Sequence, residues 1–330
     1  MNMLNLETAE MRNKKYSLTM PLVLLGWIFS MLPAQATETP YIPLTDFGDN
    51  PGALTSFYLP VTQASNASHA GNLSLVVLLH GCIQDGVELA DKSGLTSLAL
   101  DNHFAVLVPQ QSYDNNVKGC FNWFASQDTQ IDSGEMLSIK NMIVTTQEKL
   151  AAKHVYVIGL SAGGAMASAA IVNYPNLFQS GAVIAGLPYP CADNLIKAIS
   201  CMKQGPAQSV EELAQFAKAI HPQQTRWPSL SIWTGDSDNV VNANNAQMLA
   251  SQWQVLTQSN AKPTVTNESG YSISRWKDPQ NKQSIELVTI KDFGHGIAVN
   301  PDIKHGGEES DYLLRAPISS VIEVIKLWGL

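Results

Sequence analysis

The sequence has few charged residues and, after residue 15, no cluster of basic ones. Of its 330 residues, 15% are charged, and 20 Lys and Arg against 28 Asp and Glu give a net charge of −8 at pH 7. Such a surface repels phosphate groups, which argues against nucleic acid and anionic membranes as partners. Hydrophobic residues make up 45% of the chain, which is ordinary for a globular protein and argues against large-scale disorder.

The N-terminal apolar run is too short for a membrane anchor, which needs about twenty apolar residues. It covers residues 20–32 and contains Pro21. A basic stretch at residues 12–15 precedes it, and the small-x-small sequence AQA follows at residues 34–36. This order predicts a secretory signal peptide over residues 1–36 and a mature chain over residues 37–330.

Removal of that peptide takes away three basic and two acidic residues, which leaves 17 basic against 26 acidic residues and a net charge near −9. Translation could also start at Met11, because Glu7 and Glu10 are unusual ahead of a basic n-region. No Cys lies directly after the apolar run, so a lipid-modified lipoprotein is not indicated. We expect an exported protein, secreted or periplasmic, with no stable membrane association.

Cysteine is also sparse, with four residues in the mature chain: Cys82, Cys120, Cys191 and Cys201. They form no C-x-x-C pair and the histidines are not clustered, so a metal site is not indicated. An even number suits disulfide formation in an oxidising compartment. The sequence does not choose among the three possible pairings, but we prefer Cys82 with Cys120 and Cys191 with Cys201.

The most informative stretch of the sequence is residues 154–166, HVYVIGLSAGGAM. Its first part is apolar or β-branched and predicts a strand, and the small residues that follow Ser161 are compatible with a helix. Gly159 and Gly163 leave room for a sharp turn between them. G-x-S-x-G in a strand-turn-helix context places a nucleophilic serine at the apex, whereas the same string elsewhere is an ordinary glycine-rich turn.

Further apolar runs predict an α/β fold with a mostly parallel central sheet flanked by helices. Strands are expected at 54–59, 73–79, 104–109, 181–184, 230–234, 271–277 and 284–291, and helices at 95–102, 133–150 and 317–327. Residues 187–227 are too long for a normal crossover. We therefore predict a small cap insertion there, within a single catalytic domain.

A His-Gly step follows the predicted strand at 73–79. In α/β-hydrolases, the loop at this position supplies one backbone N–H of the oxyanion hole. We assign this role to the N–H of Cys82 and the second donor to the N–H of Ala162. His80 itself is explained by the architecture of this loop.

The sequence offers two acids after the predicted strand at 230–234. Asp238, in a G-x-x-D-x-x-V pattern, is preferred over Asp236, because loops at the carboxyl edge of parallel strands carry the ligand-handling residues. A calcium loop would need more carboxylates than this run contains. Asp238 is therefore the expected acid partner of the serine.

His295 follows the predicted strand at 284–291 and stands between two glycines, which would leave it free to swing toward the serine. The order Ser161, Asp238, His295 is that of the α/β-hydrolases. His305 is the rival histidine, but no strand leads into it. This constellation predicts acyl transfer through an acyl-enzyme on Ser161, without metal or organic cofactor.

The long irregular stretch at residues 110–132 carries four aromatic residues. Irregular segments of this length in a compact domain are usually functional. The aromatic residues either pack the loop down or form a hydrophobic wall beside the serine. For the second role Trp123 is the main candidate.

Beyond the general fold, the chain resembles the polyhydroxybutyrate depolymerase family of esterases. The resemblance rests on HGCIQ (80–84), CFNWF (120–124), GLSAGG (159–164), GLPYPCAD (186–193), GDSDNVV (235–241), SRWKD (274–278) and GHGIAVNP (294–301). It implies hydrolysis of short-chain poly(3-hydroxyalkanoates) or their oligomers, with Ser161, Asp238 and His295 as the triad. It also implies that Cys82 lies at the oxyanion hole and Trp123 near the substrate cleft.

Unlike many secreted members, the sequence ends at Leu330 without a linker or a C-terminal substrate-binding module, so we expect soluble oligomers or amorphous polymer as substrates. A feruloyl or acetylxylan esterase is the nearest alternative, because fold does not fix the substrate. A secreted binding protein on a hydrolase scaffold is a further alternative, against which the intact Ser, Asp and His set argues. No obligate protein partner is indicated.

Overall fold

Strand β3 (Ser74–Leu79) shows why the centre of this fold is a sheet covered on both faces. All six of its residues are buried. Leu75 and Val77 enter one apolar core, whereas Val76 and Leu78 enter another. Because side chains alternate across a strand, a continuous apolar run needs a helical layer on each side of the sheet.

The computed structural model describes residues 40–61, 73–260, 262–280 and 282–330. The predicted signal peptide and the alternative start at Met11 lie outside these residues. The described strands are β1 (Ile42–Pro43), β2 (Thr55–Leu59), β3 (Ser74–Leu79), β4 (Ala105–Gln110), β5 (His154–Leu160), β6 (Ser180–Ile184), β7 (Ser229–Gly235), β8 (Thr264–Glu268), β9 (Tyr271–Lys277), β10 (Gln283–Ile290), β11 (Ile297–Val299) and β12 (Leu313–Arg315).

Ten of the described strands form one sheet in the order β1-β2-β4-β3-β5-β6-β7-β10-β9-β8. The strands from β4 to β10 in this order run parallel to their neighbours. Antiparallel pairs extend the sheet at both edges, and β11 and β12 form a separate parallel pair. The carboxyl ends of the parallel strands lie at one edge, which brings the loops after β3, β5, β7 and β10 together.

Helices cover both faces of the sheet. They are α1 (Gly86–Lys92), α2 (Leu95–Asn102), α3 (Ser126–Thr129), α4 (Gly134–Leu150), α5 (Ala162–Asn173), α6 (Leu195–Gln204), α7 (Val210–Ile220), α8 (Asn244–Thr257) and α9 (Ser320–Trp328). Residues of α4, α5, α7 and α8 belong to one apolar core, and residues of α1, α2 and α9 to the other. Within the described part of the chain, none of these helices combines the length and apolarity needed to cross a membrane.

The predicted mostly parallel sheet is present, with strand ends within one or two residues of those expected. The last helix begins at Ser320 rather than Pro317, because the side chain of Ser319 caps it by accepting the N–H of Ile322. The sequence analysis did not predict β8 or α8. Strand β8 is mostly exposed at the edge of the sheet, and α8 lacks a side-chain cap at its N-terminus.

The predicted cap, residues 187–227, contains two helices with different surroundings. Helix α7 starts at a capping box formed by Ser209 and Glu212, and its buried residues Leu213, Ala214 and Ala217 face the main body, where α7 packs against α8. Helix α6 instead leaves several apolar side chains exposed. Residues 40–330 form one compact unit, and the capping role of residues 187–227 stays a prediction.

Candidate active site

Ser161 lies on the tight turn between β5 and α5. Its φ of 56° and ψ of −117° form a backbone conformation that costs an L-residue about 1–3 kcal/mol and is typical of functional sites. A Cβ on Gly159 would lie 2.2 Å from the carbonyl oxygen of Gly163, and one on Gly163 would lie 2.1 Å from that of Leu79. The two glycines of G-x-S-x-G are thus needed because strands β3 and β5 pack tightly against the start of α5.

His295 joins Ser161 and Asp238 in one hydrogen-bonded row. Its Nδ1 lies 2.7 Å from Asp238 Oδ2, and its Nε2 lies 2.8 Å from Ser161 Oγ. Because a carboxylate only accepts, Nδ1 carries the proton and donates a hydrogen bond to Asp238, which leaves Nε2 to accept a hydrogen bond from the serine hydroxyl. The side chain of Asp238 is fully buried and that of His295 is 9% exposed. The row can therefore remove the proton from Ser161 as the oxygen attacks a carbonyl carbon.

The backbone fixes the carboxylate of Asp238 in this row. Its Oδ1 accepts the N–H groups of Val240 and Val241, each at 2.8 Å. These two bonds leave Oδ2 directed at the imidazole. A short turn after β7 is therefore sufficient to orient the acid.

The rival residues lie elsewhere. Asp236 Oδ1 accepts the N–H of Asp292 at 2.7 Å, so it holds the loop that leads to the histidine. His305 lies against α2, with Nδ1 2.8 Å from Ser97 Oγ and Nε2 2.9 Å from Asp101 Oδ2. Neither contributes to the row at Ser161.

Of the two glycines that flank His295, Gly296 has a steric reason in the fold. A Cβ on Gly296 would lie 2.6 Å from the carbonyl oxygen of Tyr312, because the loop before β11 approaches the segment before β12 closely. Gly294 has no such close contact, since a Cβ there would lie 3.6 Å from Leu314 Cδ1.

Cys82 and Ala162 both line the cavity that contains Ser161 and His295, whose volume is about 230 Å³. Ala162 is the first residue of α5, so its N–H is one of those that a helix leaves without an internal partner. Among the described residues, neither N–H donates to a protein acceptor. These two N–H groups are therefore the candidate donors to the oxygen of a substrate carbonyl group.

Buried polar residues orient the loop that carries Cys82. His80 is fully buried, and burial lowers its pKa. Its neutral ring donates from Nδ1 to the carbonyl oxygen of Gly81 at 2.6 Å and accepts the N–H of Gln111 at Nε2, 3.1 Å away. Gln84 Oε1 accepts the N–H of Gly81 at 2.7 Å. These bonds explain the His and the Gln of HGCIQ.

Glu135, at the start of α4, was not singled out by the sequence analysis. Its fully buried carboxylate accepts the backbone N–H of Asn122 at 2.8 Å and the Asn122 side-chain amide at 2.7 Å, and it also accepts the side-chain amide of Gln111. Burial raises the pKa of Glu135 to about 7, against the effect of these donors. Its partners lie 13 and 24 positions away, so no local motif reveals it.

The aromatic residues of the irregular stretch divide between the two expected roles. Trp123 lines the cavity at Ser161 together with Leu187, Met202 and Val241. Phe121 is instead fully buried, with its ring 4.9 Å from that of His80. Trp123 is thus the aromatic wall beside Ser161, and Phe121 packs under the loop of Cys82.

All four cysteines form disulfides in the pairing that the sequence analysis preferred, Cys82 with Cys120 and Cys191 with Cys201. The first bond ties the loop after β3 to the aromatic stretch that carries Trp123. The second ties α6 to the segment after Leu187, and both Leu187 and Met202 line the cavity. The two disulfides thus join segments that line the same cavity.

Comparison with known proteins gives the family of the chain. The family described as Esterase PHB depolymerase matches residues 55–266, and the chain is 32% identical to Poly(3-hydroxyalkanoate) depolymerase C from Paucimonas lemoignei over 87% of its own length and 69% of that protein. The chain belongs to this esterase family. The resemblance predicted from the sequence is thereby confirmed, and this family member is a carboxylic ester hydrolase.

The chain is also similar to two carbohydrate esterases, one by sequence and one by structure. Feruloyl esterase B from Talaromyces stipitatus is 26% identical to it, over 84% of this chain and 77% of that protein. The solved structure of an acetyl xylan esterase from Aspergillus awamori superimposes with a TM-score of 0.70 at 22% identity, covering 88% of this chain and 98% of the other. The α/β-hydrolase fold predicted from the sequence is therefore confirmed.

The candidate site combines a serine hydroxyl, an imidazole and a buried carboxylate, and Cys82 and Ala162 line its cavity. Within the described residues, no group of three or more His, Cys, Asp or Glu side chains is arranged to hold a metal ion. The arrangement has the parts that acyl transfer to a serine requires.

Proposed function

We propose that this esterase hydrolyses the ester bonds of short-chain poly(3-hydroxyalkanoates), such as polyhydroxybutyrate, or of their oligomers. The observation that carries the proposal is the lining of the cavity at Ser161, in which no described residue is Lys, Arg, Asp or Glu. A volume of about 230 Å³ suits a short aliphatic acyl group. The similarity to Poly(3-hydroxyalkanoate) depolymerase C supports the same substrate class.

Ser161 is the proposed nucleophile. As its oxygen bonds to the carbonyl carbon, His295 takes the proton, and Asp238 stabilises the imidazolium in the required orientation. The ester C–O bond then breaks and His295 returns the proton to the departing alkoxide. Water, deprotonated by His295, releases the acid from the acyl-enzyme.

The N–H groups of Cys82 and Ala162 stabilise the negative oxygen of the tetrahedral intermediates in this scheme. Loss of one such donor commonly raises the barrier by about 3 kcal/mol. Both donors are backbone groups, so their positions depend on the loop of His80 and on the start of α5. Trp123 is the proposed wall for the acyl chain, because it borders the same cavity.

A carbohydrate esterase of the feruloyl or acetylxylan kind is the second candidate, and the similarity to Feruloyl esterase B favours it over other ester hydrolases. The identity of 26% to that relative is lower than the 32% to the depolymerase. A binding protein without turnover is disfavoured by the hydrogen-bonded row at Ser161.

Rates on three substrates test the proposal: 3-hydroxybutyrate trimer, amorphous polyhydroxybutyrate and methyl ferulate, each with Ser161→Ala as the blank. We expect kcat/KM for the trimer to exceed that for methyl ferulate by at least about tenfold, because contacts in the apolar cavity set the preference. A preference for methyl ferulate would instead support the carbohydrate esterase. No turnover of any substrate, or of p-nitrophenyl butyrate, would contradict the esterase proposal.

We also propose that the protein acts outside the cytoplasm. Its two disulfides are bonds that oxidising compartments maintain. The sequence of residues 1–36 supports export through a signal peptide. Detection of a mature protein that begins at Thr37 would support this route.

A further inference from the structure

A second cavity, of about 610 Å³, opens beside the one at Ser161. It lies between α1 with residues 83–85 on one side and residues 310–313 on the other. The two cavities share Gln84 and Tyr312 as lining residues. The two cavities are therefore neighbours at these two side chains.

The second cavity lies on the side of the site where the alcohol half of an ester belongs. In the proposed mechanism His295 gives its proton to the departing alkoxide, so the alcohol half lies beside the imidazole. Tyr312 packs edge-on against His295, with ring centroids 6.2 Å apart. Since Tyr312 also borders the second cavity, that cavity extends from the alcohol side of Ser161.

Two residues at the second cavity have backbone conformations that are unusual for their type. Ile83 has a φ of 60° and Tyr312 a φ of 63°, which is a rare region for bulky residues and above all for β-branched ones. Such strain is typical of functional sites. The side chain of Ile83 is nevertheless 53% exposed, so the strained backbone presents an apolar group to solvent.

A backbone hydrogen bond fixes the position of Ile83. Its N–H donates to the carbonyl oxygen of Lys118 at 2.8 Å, next to the disulfide between Cys82 and Cys120. The side chain thus contributes little to the shape of the loop. It is free to cover a ligand, and burial of its apolar surface would favour binding.

The charges around the second cavity select against anions. Asp85, Glu88 and Asp311 border it, and Lys92 is the one described Lys or Arg that does. Lys92 is already paired with Glu88 at 2.5 Å. The balance is acidic, so a neutral chain is accepted there more readily than a carboxylate.

We propose that the second cavity binds the alcohol half of a polyester substrate, that is, the hydroxyacyl unit that follows the scissile bond. Ile83 contacts the methyl and methylene groups of this unit. The inference rests on the proposed function and deepens it, because it assigns the part of the chain that leaves first. Because the second cavity is bordered mainly by acidic side chains, a free carboxylate on this unit is disfavoured.

The test compares two substrates that share a short acyl group. The methyl ester of 3-hydroxybutyrate trimer would use the second cavity, whereas p-nitrophenyl butyrate carries no hydroxyacyl unit on its alcohol side. Ile83→Asn removes the apolar side chain and keeps a residue type that tolerates positive φ. We expect the ratio of kcat/KM for the trimer ester to kcat/KM for p-nitrophenyl butyrate to fall about fivefold.

Ile303→Asn is the matched control, because Ile303 is similarly exposed at 46%, against 53% for Ile83, and borders neither cavity. Its ratio should equal that of the wild type. An unchanged ratio in Ile83→Asn would overturn the proposal, whether both rates stay at the wild-type level or both fall equally. An equal fall would indicate an effect through the adjacent Cys82. If the wild type does not hydrolyse the trimer ester at all, the proposed function fails as well.

Rates of the wild-type protein on two dimers test the proposal without relying on the folding of Ile83→Asn. In the 3-hydroxybutyrate dimer, the free acid places a carboxylate on the unit that would enter the second cavity. We expect the dimer methyl ester to be hydrolysed at least about threefold faster than the free acid, with the difference shrinking as salt is added. Equal rates at low salt would contradict the assignment.

Discussion

Asp236 and Asp238 are separated by one residue, yet their carboxylates hold different parts of the site. Asp238 accepts a hydrogen bond from His295 Nδ1 at 2.7 Å, whereas Asp236 accepts one from the backbone N–H of Asp292 at 2.7 Å. Asp238→Asn should lower kcat on p-nitrophenyl butyrate by about 10⁴-fold, because a neutral amide neither fixes the tautomer nor stabilises the imidazolium.

Asp236→Asn is the control for that prediction. The side-chain oxygen of asparagine can still accept the N–H of Asp292, so kcat should stay within about tenfold of the wild-type value. Equal losses in the two variants would contradict the preference for Asp238.

Much of the candidate site could be predicted from the sequence. Four of its residues each follow a predicted strand of a parallel sheet: Cys82, Ser161, Asp238 and His295. Their convergence follows from the common edge. The supporting residues could not be found in this way. Glu135 acts through Gln111 and Asn122, which only the folded chain brings to it.

At the scale of elements, Glu135 connects the start of α4 to the irregular stretch that carries Trp123. Burial raises its pKa from 4.5 to about 7, so the folded protein holds this proton more tightly than the unfolded chain does. The stability that this proton contributes is present below about pH 4.5 and is lost as the pH rises through about 7. The loss amounts to about 2 kcal/mol between pH 5 and pH 8.

Denaturant unfolding of the wild type and of Glu135→Gln at pH 5 and pH 8 checks this expectation. The variant lacks the titrating group. Between pH 5 and pH 8, the fall in its free energy of unfolding should therefore be smaller than the fall in the wild type, by about 2 kcal/mol. A wild type whose stability changes with pH as in the variant would show that the N–H donors of Asn122 and Gln111 keep the carboxylate ionised.

The central strands were predictable because each is an apolar run buried on both faces. Strand β8 was not, because it is mostly exposed at the edge of the sheet and, among the described strands, pairs with β9 alone. Its existence depends on a neighbour rather than on its own pattern. The separate roles of α6 and α7 were hidden for a similar reason, since the packing of α7 against α8 is a tertiary contact.

At the scale of the whole molecule, the parallel sheet brings the oxyanion loop, the nucleophile, the acid and the histidine to one edge, and the disulfides restrain the walls around them. Fold and reaction class follow from this arrangement and from family membership. We propose that substrate choice depends on the cavities at Trp123 and Ile83, which are lined by residues far apart in the sequence.

Covalent labelling of the intact protein by a fluorophosphonate, with the modified residue identified by peptide mass spectrometry, tests most directly whether Ser161 is the nucleophile. We expect one adduct, on Ser161, formed by the wild type and lost in both Ser161→Ala and His295→Ala. Labelling at another serine, or wild-type protein that hydrolyses p-nitrophenyl butyrate without labelling at Ser161, would contradict this expectation.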